Sequence, residues 1–146
     1  QTLAITDDAM TRFWITTEEA VTFVIHSFLR ARGGEIFVPK IPSMRIVDLA
    51  DAIAPGVKRV ITGIRPGEKL HEMMINPEDA RHTLDIDDHY VIVPEAYADT
   101  EHMVRFMEGR EGRNVPAGFA YTSDANTQWM TPDELKKTVK TMHSIF

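Results

Sequence analysis

Gly63-Ile64-Arg65-Pro66-Gly67-Glu68-Lys69-Leu70-His71-Glu72 packs two glycines, a proline, two cations, two acids and a histidine into ten residues. Pro66 disfavours the α region for Arg65 and holds it extended, while Gly63 and Gly67 let the backbone turn at little steric cost. Leu70, Met73, Met74 and Ile75 form an apolar run, so the charged turn is expected to open a short helix. An extended Arg would then stand beside a helix N-terminus, with a carboxylate one turn further in. An Arg fork and free backbone donors suit a phosphate, and a nearby Glu suits sugar hydroxyls. The competing reading is a solvated turn before an ordinary helix.

Outward from this stretch, Lys58 to Thr62 reads as a strand that delivers the chain to Gly63. Val47 to Ala54 reads as a helix with Asp48 favourably placed in its first turn, broken by Pro55-Gly56. Glu35 to Val38 is a short strand stopped by Pro39 and Pro42. Thr16-Thr17-Glu18-Glu19 is a capping box, in which a Thr hydroxyl and a Glu three residues on satisfy orphan amides reciprocally. The helix it opens runs to about Arg32, with Ala20, Val21, Val24, Ile25, Phe28 and Leu29 on a wide apolar face. Gly33-Gly34 is expected to end it as a left-handed cap, and Gln1 to Met10 is a polar lead-in.

On the other side, Ala80 to Asp88 reads as polar and His89 to Val93 as a strand closed by Pro94. The cluster Glu108-Gly109-Arg110-Glu111-Gly112-Arg113 reads as an exposed loop. Thr131-Pro132-Asp133-Glu134 is a second capping box, with Pro where the helix needs no amide hydrogen. Leu135, Val139 and Met142 share one face of the helix that follows. The order helix, strand, helix, strand, helix, strand, helix points to an α/β piece.

Composition sets outer bounds. A chain of 146 residues, 43% hydrophobic and 26% charged, can bury a real core. A net charge of −6 argues against a broad nucleic-acid or anionic-membrane surface. With no cysteine there is no disulfide framework and no cysteine-based metal site. No apolar run approaches membrane-span length and no signal-peptide pattern opens the chain, so a cytoplasmic location is expected. The chain does not begin with Met and reads as a processed or excised piece.

Several chemistries fail on their spacing. His71-Glu72-Met73-Met74-Ile75 starts like a zinc-protease helix, but Ile75 stands where the second histidine is needed. The histidines His26, His71, His82, His89, His102 and His143 show no ligand spacing. Neither glycine-rich phosphate loop nor a G-x-S-x-G elbow occurs. No catalytic residue and no metal ligand is assigned; the candidates are for binding. Arg12 is one, lying between Thr11 and Phe13-Trp14 just before a capped helix. It is either a surface Arg leaning on an aromatic pair or a second phosphate ligand. Paired with Arg65 on one pyrophosphate, it would neutralise much of the charge through bidentate contacts.

Three ordered motifs carry a resemblance: Thr11-Arg12-Phe13-Trp14-Ile15-Thr16, the run from Gly34 to Met44, and the run from Gly63 to Glu72. Together they closely resemble the C-terminal part of inverting UDP-N-acetylglucosamine 4,6-dehydratases and related polysaccharide-biosynthesis proteins, which are extended short-chain dehydrogenase/reductases. Ala80-Arg81-His82-Thr83-Leu84 and the run from Tyr121 to Met130 extend the likeness almost to the end. The resemblance implies that Arg12 and Arg65 contact the nucleotide diphosphate and that Glu68 reaches the ribose hydroxyls. Lys40 to Met44 would lie near the same cleft, although a purely structural proline-rich loop would read the same, and His71 and Glu72 are left as supporting or structural residues.

The same resemblance implies an α/β fragment that lacks most of the Rossmann domain. Residues 1–42 are expected to pack on a missing N-terminal nucleotide-binding domain, and residues 43–146 to form a small α/β substrate-binding domain. Parent enzymes of this kind are NADP-dependent lyases: they oxidise sugar C4, lose water across C5 and C6, and return hydride to C6. This chain has no Tyr-x-x-x-Lys pair, since Pro94, Glu101 and Ala125 stand four residues after Tyr90, Tyr97 and Tyr121. It is therefore expected to bind a UDP-sugar, to bind no cofactor by itself, to be inactive alone and to form homo-oligomers. The alternatives are the same portion of a UDP-sugar 4-epimerase, or a binding or assembly module with no catalytic half.

Overall fold

The computed structural model describes residues 2–97, 103–107, 109 and 111–143. In chain order the described strands are β1 Thr2–Ile5, β2 Thr11–Phe13, β3 Ile36–Pro39, β4 Ser43–Arg45, β5 Lys58–Ile61, β6 Met73–Ile75, β7 Thr83–Ile86, β8 His89–Ile92, β9 Gly112–Asn114 and β10 Tyr121–Thr122. The described α-helices are α1 Thr17–Arg30, α2 Ile46–Ile53 and α3 Pro132–His143. The chain is mixed α/β, the class its pattern implied. It divides into two compact units built from interleaved segments. Gln1–Trp14, Ile41–Glu72 and Thr122–Phe146 form the first, and Ile15–Lys40 and Met73–Tyr121 the second.

In the first unit β1 and β5 pair in parallel, Thr2 opposite Lys58 and Ile5 opposite Ile61. The pairing runs on past both strands, because Thr62 N donates to Ile5 O at 2.9 Å and Gly63 N to Thr6 O at 3.1 Å. Strands β2 and β4 are antiparallel, with Arg12 opposite Met44. α2 starts directly after β4, and Arg45 grips Asp48 in its first turn through Nε at 2.9 Å and Nη2 at 3.1 Å. α2 packs against α3. The cap of α3 is the expected box: Glu134 N donates to Thr131 Oγ1 at 3.3 Å, and Thr131 N to Glu134 Oε2 at 2.8 Å. Ile5, Met10, Met44, Ala50 and Leu135 are buried here.

In the second unit β3, β8, β7 and β9 form an antiparallel sheet in that order, with β3 and β9 outermost. Leu84, Ile86, Val91, Val93, Met103 and Phe106 make its core. Lys40 is committed within this unit: its Nζ donates to Asp85 Oδ1 at 2.5 Å and to Asp87 O at 2.8 Å. Helix α1 carries its capping box as expected, yet none of its residues is buried. Phe28 is 82% exposed and Leu29 76%.

Several sequence expectations are corrected. No helix follows Leu70; Met73–Ile75 is strand β6, exposed, half-buried and buried in turn, because so short an apolar run fits a strand as well as a helix turn. Helix α1 ends at Arg30 with Ala31 extended, φ −54° and ψ 134°, so no left-handed residue closes it. Gly33 and Gly34 take φ of +117° and +86° in the turn beyond, where the Glu35 carboxylate accepts from the Arg32 and Gly33 amides. The lead-in holds β1, and Thr83–Ile86 inside the polar stretch is β7, with Leu84 and Ile86 fully buried. In the charged cluster Glu108 and Arg110 lie outside the described residues, and Gly112–Asn114 is β9 rather than loop. No described helix is long and apolar enough to cross a membrane.

Candidate functional site

The loop that follows β5 is shaped by its own residues. Glu68 N donates to Arg65 O at 3.0 Å, closing a turn with Pro66 and Gly67 at its centre. Gly67 has φ +82°, the value a type II turn demands of its third residue. The Glu68 carboxylate braces this turn from outside it. Oε2 accepts from Arg65 N at 3.2 Å and Oε1 from Thr6 Oγ1 at 3.3 Å. Thr6 follows β1 and Gly63 follows β5, so the turn lies beyond the carboxyl ends of two parallel strands. Open α/β sheets bind ligands at such ends.

The Arg65 side chain is exposed, and its guanidinium has no hydrogen bond or ion pair among the described residues. Arg12 differs. From β2 its Nη1 donates to Thr11 O at 2.7 Å and Leu70 O at 3.1 Å, and its Nη2 to Lys69 O at 2.9 Å. Its Nε lies 3.6 Å from Glu72 Oε1, and the side chain is 22% exposed. Three of the fork's five N–H groups thus meet carbonyls and a fourth faces a carboxylate, leaving one without a partner among the described residues. The two arginines are tied to one loop, but their guanidinium groups share no partner. Neither stands at a helix N-terminus.

A cluster unmarked in the sequence lies alongside. Thr11 Oγ1 is 2.6 Å from Ser123 Oγ and 2.8 Å from His71 Nδ1. Ser123 Oγ accepts from Glu72 N at 2.9 Å, and Ser123 N donates to Glu72 O at 2.8 Å. Thr11 and Ser123 stand 112 residues apart, so no local spacing could have announced the contact. The neighbouring Asp124 carboxyl is held below its ordinary range, first by a hydrogen bond from the Thr122 hydroxyl and in lesser part by His71.

No group of three or more His, Asp or Glu side chains that could hold a metal occurs among the described residues.

The profile of the "polysaccharide biosynthesis protein" family matches residues 1–94. The chain belongs to this family. A UDP-N-acetylglucosamine 4,6-dehydratase (inverting) from Campylobacter jejuni serotype O:2 is 47% identical over 136 residues, covering 91% of this chain and 40% of the relative. A UDP-glucose 4-epimerase from Rickettsia canadensis is 34% identical over 147 residues, covering 98% of this chain and 42% of the relative. This member of the polysaccharide biosynthesis family therefore spans about two-fifths of the curated relatives it matches. In fold it is similar to the X-ray structure of Pen from Bacillus thuringiensis, with a TM-score of 0.76 at 24% identity over 97% of this chain and 42% of that one.

Proposed function

We propose that this chain is the part of a nucleotide-sugar 4,6-dehydratase that grips the UDP end of UDP-N-acetylglucosamine. One observation carries the reading: Arg65 presents a guanidinium unengaged among the described residues, on a braced turn beyond the ends of β1 and β5. A planar fork with no internal partner is suited to a diphosphate, which it meets through charge-assisted, bidentate bonds. Glu68 uses two acceptor positions on the turn and on Thr6. A carboxylate has about four, so it retains capacity for ribose hydroxyls. Arg12 adds positive charge and its one remaining N–H, while chiefly holding the Lys69 and Leu70 carbonyls in place.

The steps assigned to this chain are binding and orientation. Holding the nucleotide fixes where the sugar lies, and positioning of this kind lowers the barrier to chemistry performed elsewhere. NADP supplies the hydride chemistry in such enzymes, and its site would lie in the portion of the relatives that this chain does not span. The segment 1–42 is the part proposed to pack on that portion. A second reading, the nucleotide grip of a UDP-sugar 4-epimerase, is favoured by the Rickettsia likeness, which extends over 98% of the chain.

The test is an amide-resolved NMR titration of the 146-residue chain with UDP and with UDP-N-acetylglucosamine. Both should shift the amides from Gly63 to Glu68 at similar concentrations. Shifts confined to other residues, or none at millimolar ligand, would defeat the reading.

A further inference from the structure

The cluster around Ser123 meets the end of the Arg65 loop through the His71 ring and the Glu72 backbone, and its hydrogen bonds have a direction. Thr11 is 4% exposed and Ser123 0%, so a hydroxyl hydrogen left without an acceptor there is costly. Glu72 N–H has Ser123 Oγ as its acceptor at 2.9 Å. With a neutral His71 protonated on Nε2, Ser123 O–H donates to Thr11 Oγ1 and Thr11 O–H donates to His71 Nδ1. Each hydroxyl then donates once and accepts once. In the other neutral tautomer Nδ1–H donates to Thr11, whose own hydrogen must turn to Ser123. The Ser123 hydrogen then has no acceptor among the three groups. Only the first arrangement leaves no buried hydrogen orphaned, and chains of this kind reinforce one another.

We infer that Ser123 and Thr11 are positioning residues: they form a relay that fixes Glu72 and, through it, the clamp on Arg12. The path is continuous. Ser123 takes the Glu72 amide and returns its own amide to the Glu72 carbonyl. The Glu72 side chain faces Arg12 Nε at 3.6 Å. Thr11 supplies the carbonyl for Arg12 Nη1, and its amide donates to Leu70 O at 3.2 Å, the same carbonyl that Arg12 holds. Strand β2, the end of the Arg65 loop and the Ser123 segment are pinned at one point. A hydroxyl that never meets the ligand thereby controls how firmly the loop is presented. This rests on the nucleotide-grip reading for its effect on affinity, but not for the relay itself.

The experiment uses the full 146-residue chain with 15N-labelled histidine, its Thr11→Val, Thr11→Ser and Ser123→Ala variants, and UDP as the probe. Long-range proton–nitrogen spectra read which ring nitrogen of neutral His71 carries the proton. The expected result is Nε2–H in the wild-type chain and in Thr11→Ser, with that preference lost in Thr11→Val. UDP affinity should fall roughly five- to tenfold in Thr11→Val and Ser123→Ala, the loss of one buried hydrogen bond, and recover in Thr11→Ser. An Nδ1–H tautomer in the wild-type chain overturns the relay, whether or not any variant folds. Undiminished affinity in folded Thr11→Val and Ser123→Ala chains overturns its positioning role. A wild-type chain with the Nε2–H tautomer and no UDP binding counts against the nucleotide grip instead, and removes the affinity consequence while leaving the relay standing.

Discussion

Arg12 Nη2 donates to the Lys69 carbonyl at 2.9 Å across 57 residues of sequence, while Nη1 holds the next carbonyl, Leu70, at 3.1 Å. A guanidinium fork can hold two successive carbonyls and a third on its own strand; an ammonium presents no comparable planar fork. Arg12→Lys should therefore destabilise the chain by about 1–2 kcal/mol, because carbonyls shaped around the fork lose partners. Urea unfolding checks this. An unchanged midpoint would show that the clamp contributes nothing to stability.

Gly67 sits at φ +82°, and a Cβ added there would meet nothing within 4 Å. Any effect of Gly67→Ala is thus a backbone effect, and placing an L-residue in that region costs about 1–2 kcal/mol. The turn carries both Arg65 and Glu68, so the variant should also bind UDP more weakly. Equal UDP affinity in Gly67→Ala would separate the turn from the ligand.

Thr16→Ala should cost about 1 kcal/mol by removing the cap of α1. The Glu19 carboxyl is held below its ordinary value, first by the Thr16 hydroxyl and then by the Thr16 amide. A depressed carboxyl contributes stability that is present above its unfolded value of 4.5 and is lost as pH falls through the folded value. Thermal melts of the wild-type chain should therefore worsen between neutral pH and pH values below that range, and those of Thr16→Ala should worsen less. Parallel losses in both would contradict the coupling of cap and carboxylate.

Val24, Phe28 and Leu29 stand exposed on α1. Each large side chain left in water forgoes about 1.5–3 kcal/mol of burial, and a contiguous face of this kind marks an interface. The isolated chain should self-associate, and Phe28→Glu should weaken the association. Light scattering over a concentration series decides it: a strictly monomeric wild-type chain would show that this face needs no cover.

The two capping boxes were legible because each signal, a Thr and a Glu three residues on, is complete within one turn. The Pro66-Gly67 turn was legible for the same local reason. What followed was not: Leu70, Met73, Met74 and Ile75 give an apolar pattern that strand and helix share, and Met73–Ile75 is β6. Strand β1 was hidden because its partner lies far along the chain, Thr2 pairing with Lys58. Among the candidate site residues, Arg65 and Glu68 were visible as chemistry on a turn. That Glu68 braces the Arg65 amide, and that Arg12 is largely engaged by backbone carbonyls, are tertiary facts. The Ser123 and Thr11 contact is of the same kind.

Calorimetric titration of UDP against the wild-type chain and Arg65→Ala tests the central claim most directly. The Arg65 side chain makes no hydrogen bond or ion pair among the described residues, so its removal should leave folding intact. Losing a charged hydrogen-bond partner should weaken UDP binding by about 1.5–3 kcal/mol, tenfold or more. Equal affinities in the two proteins would contradict the assignment of Arg65 to the diphosphate, and with it the nucleotide grip.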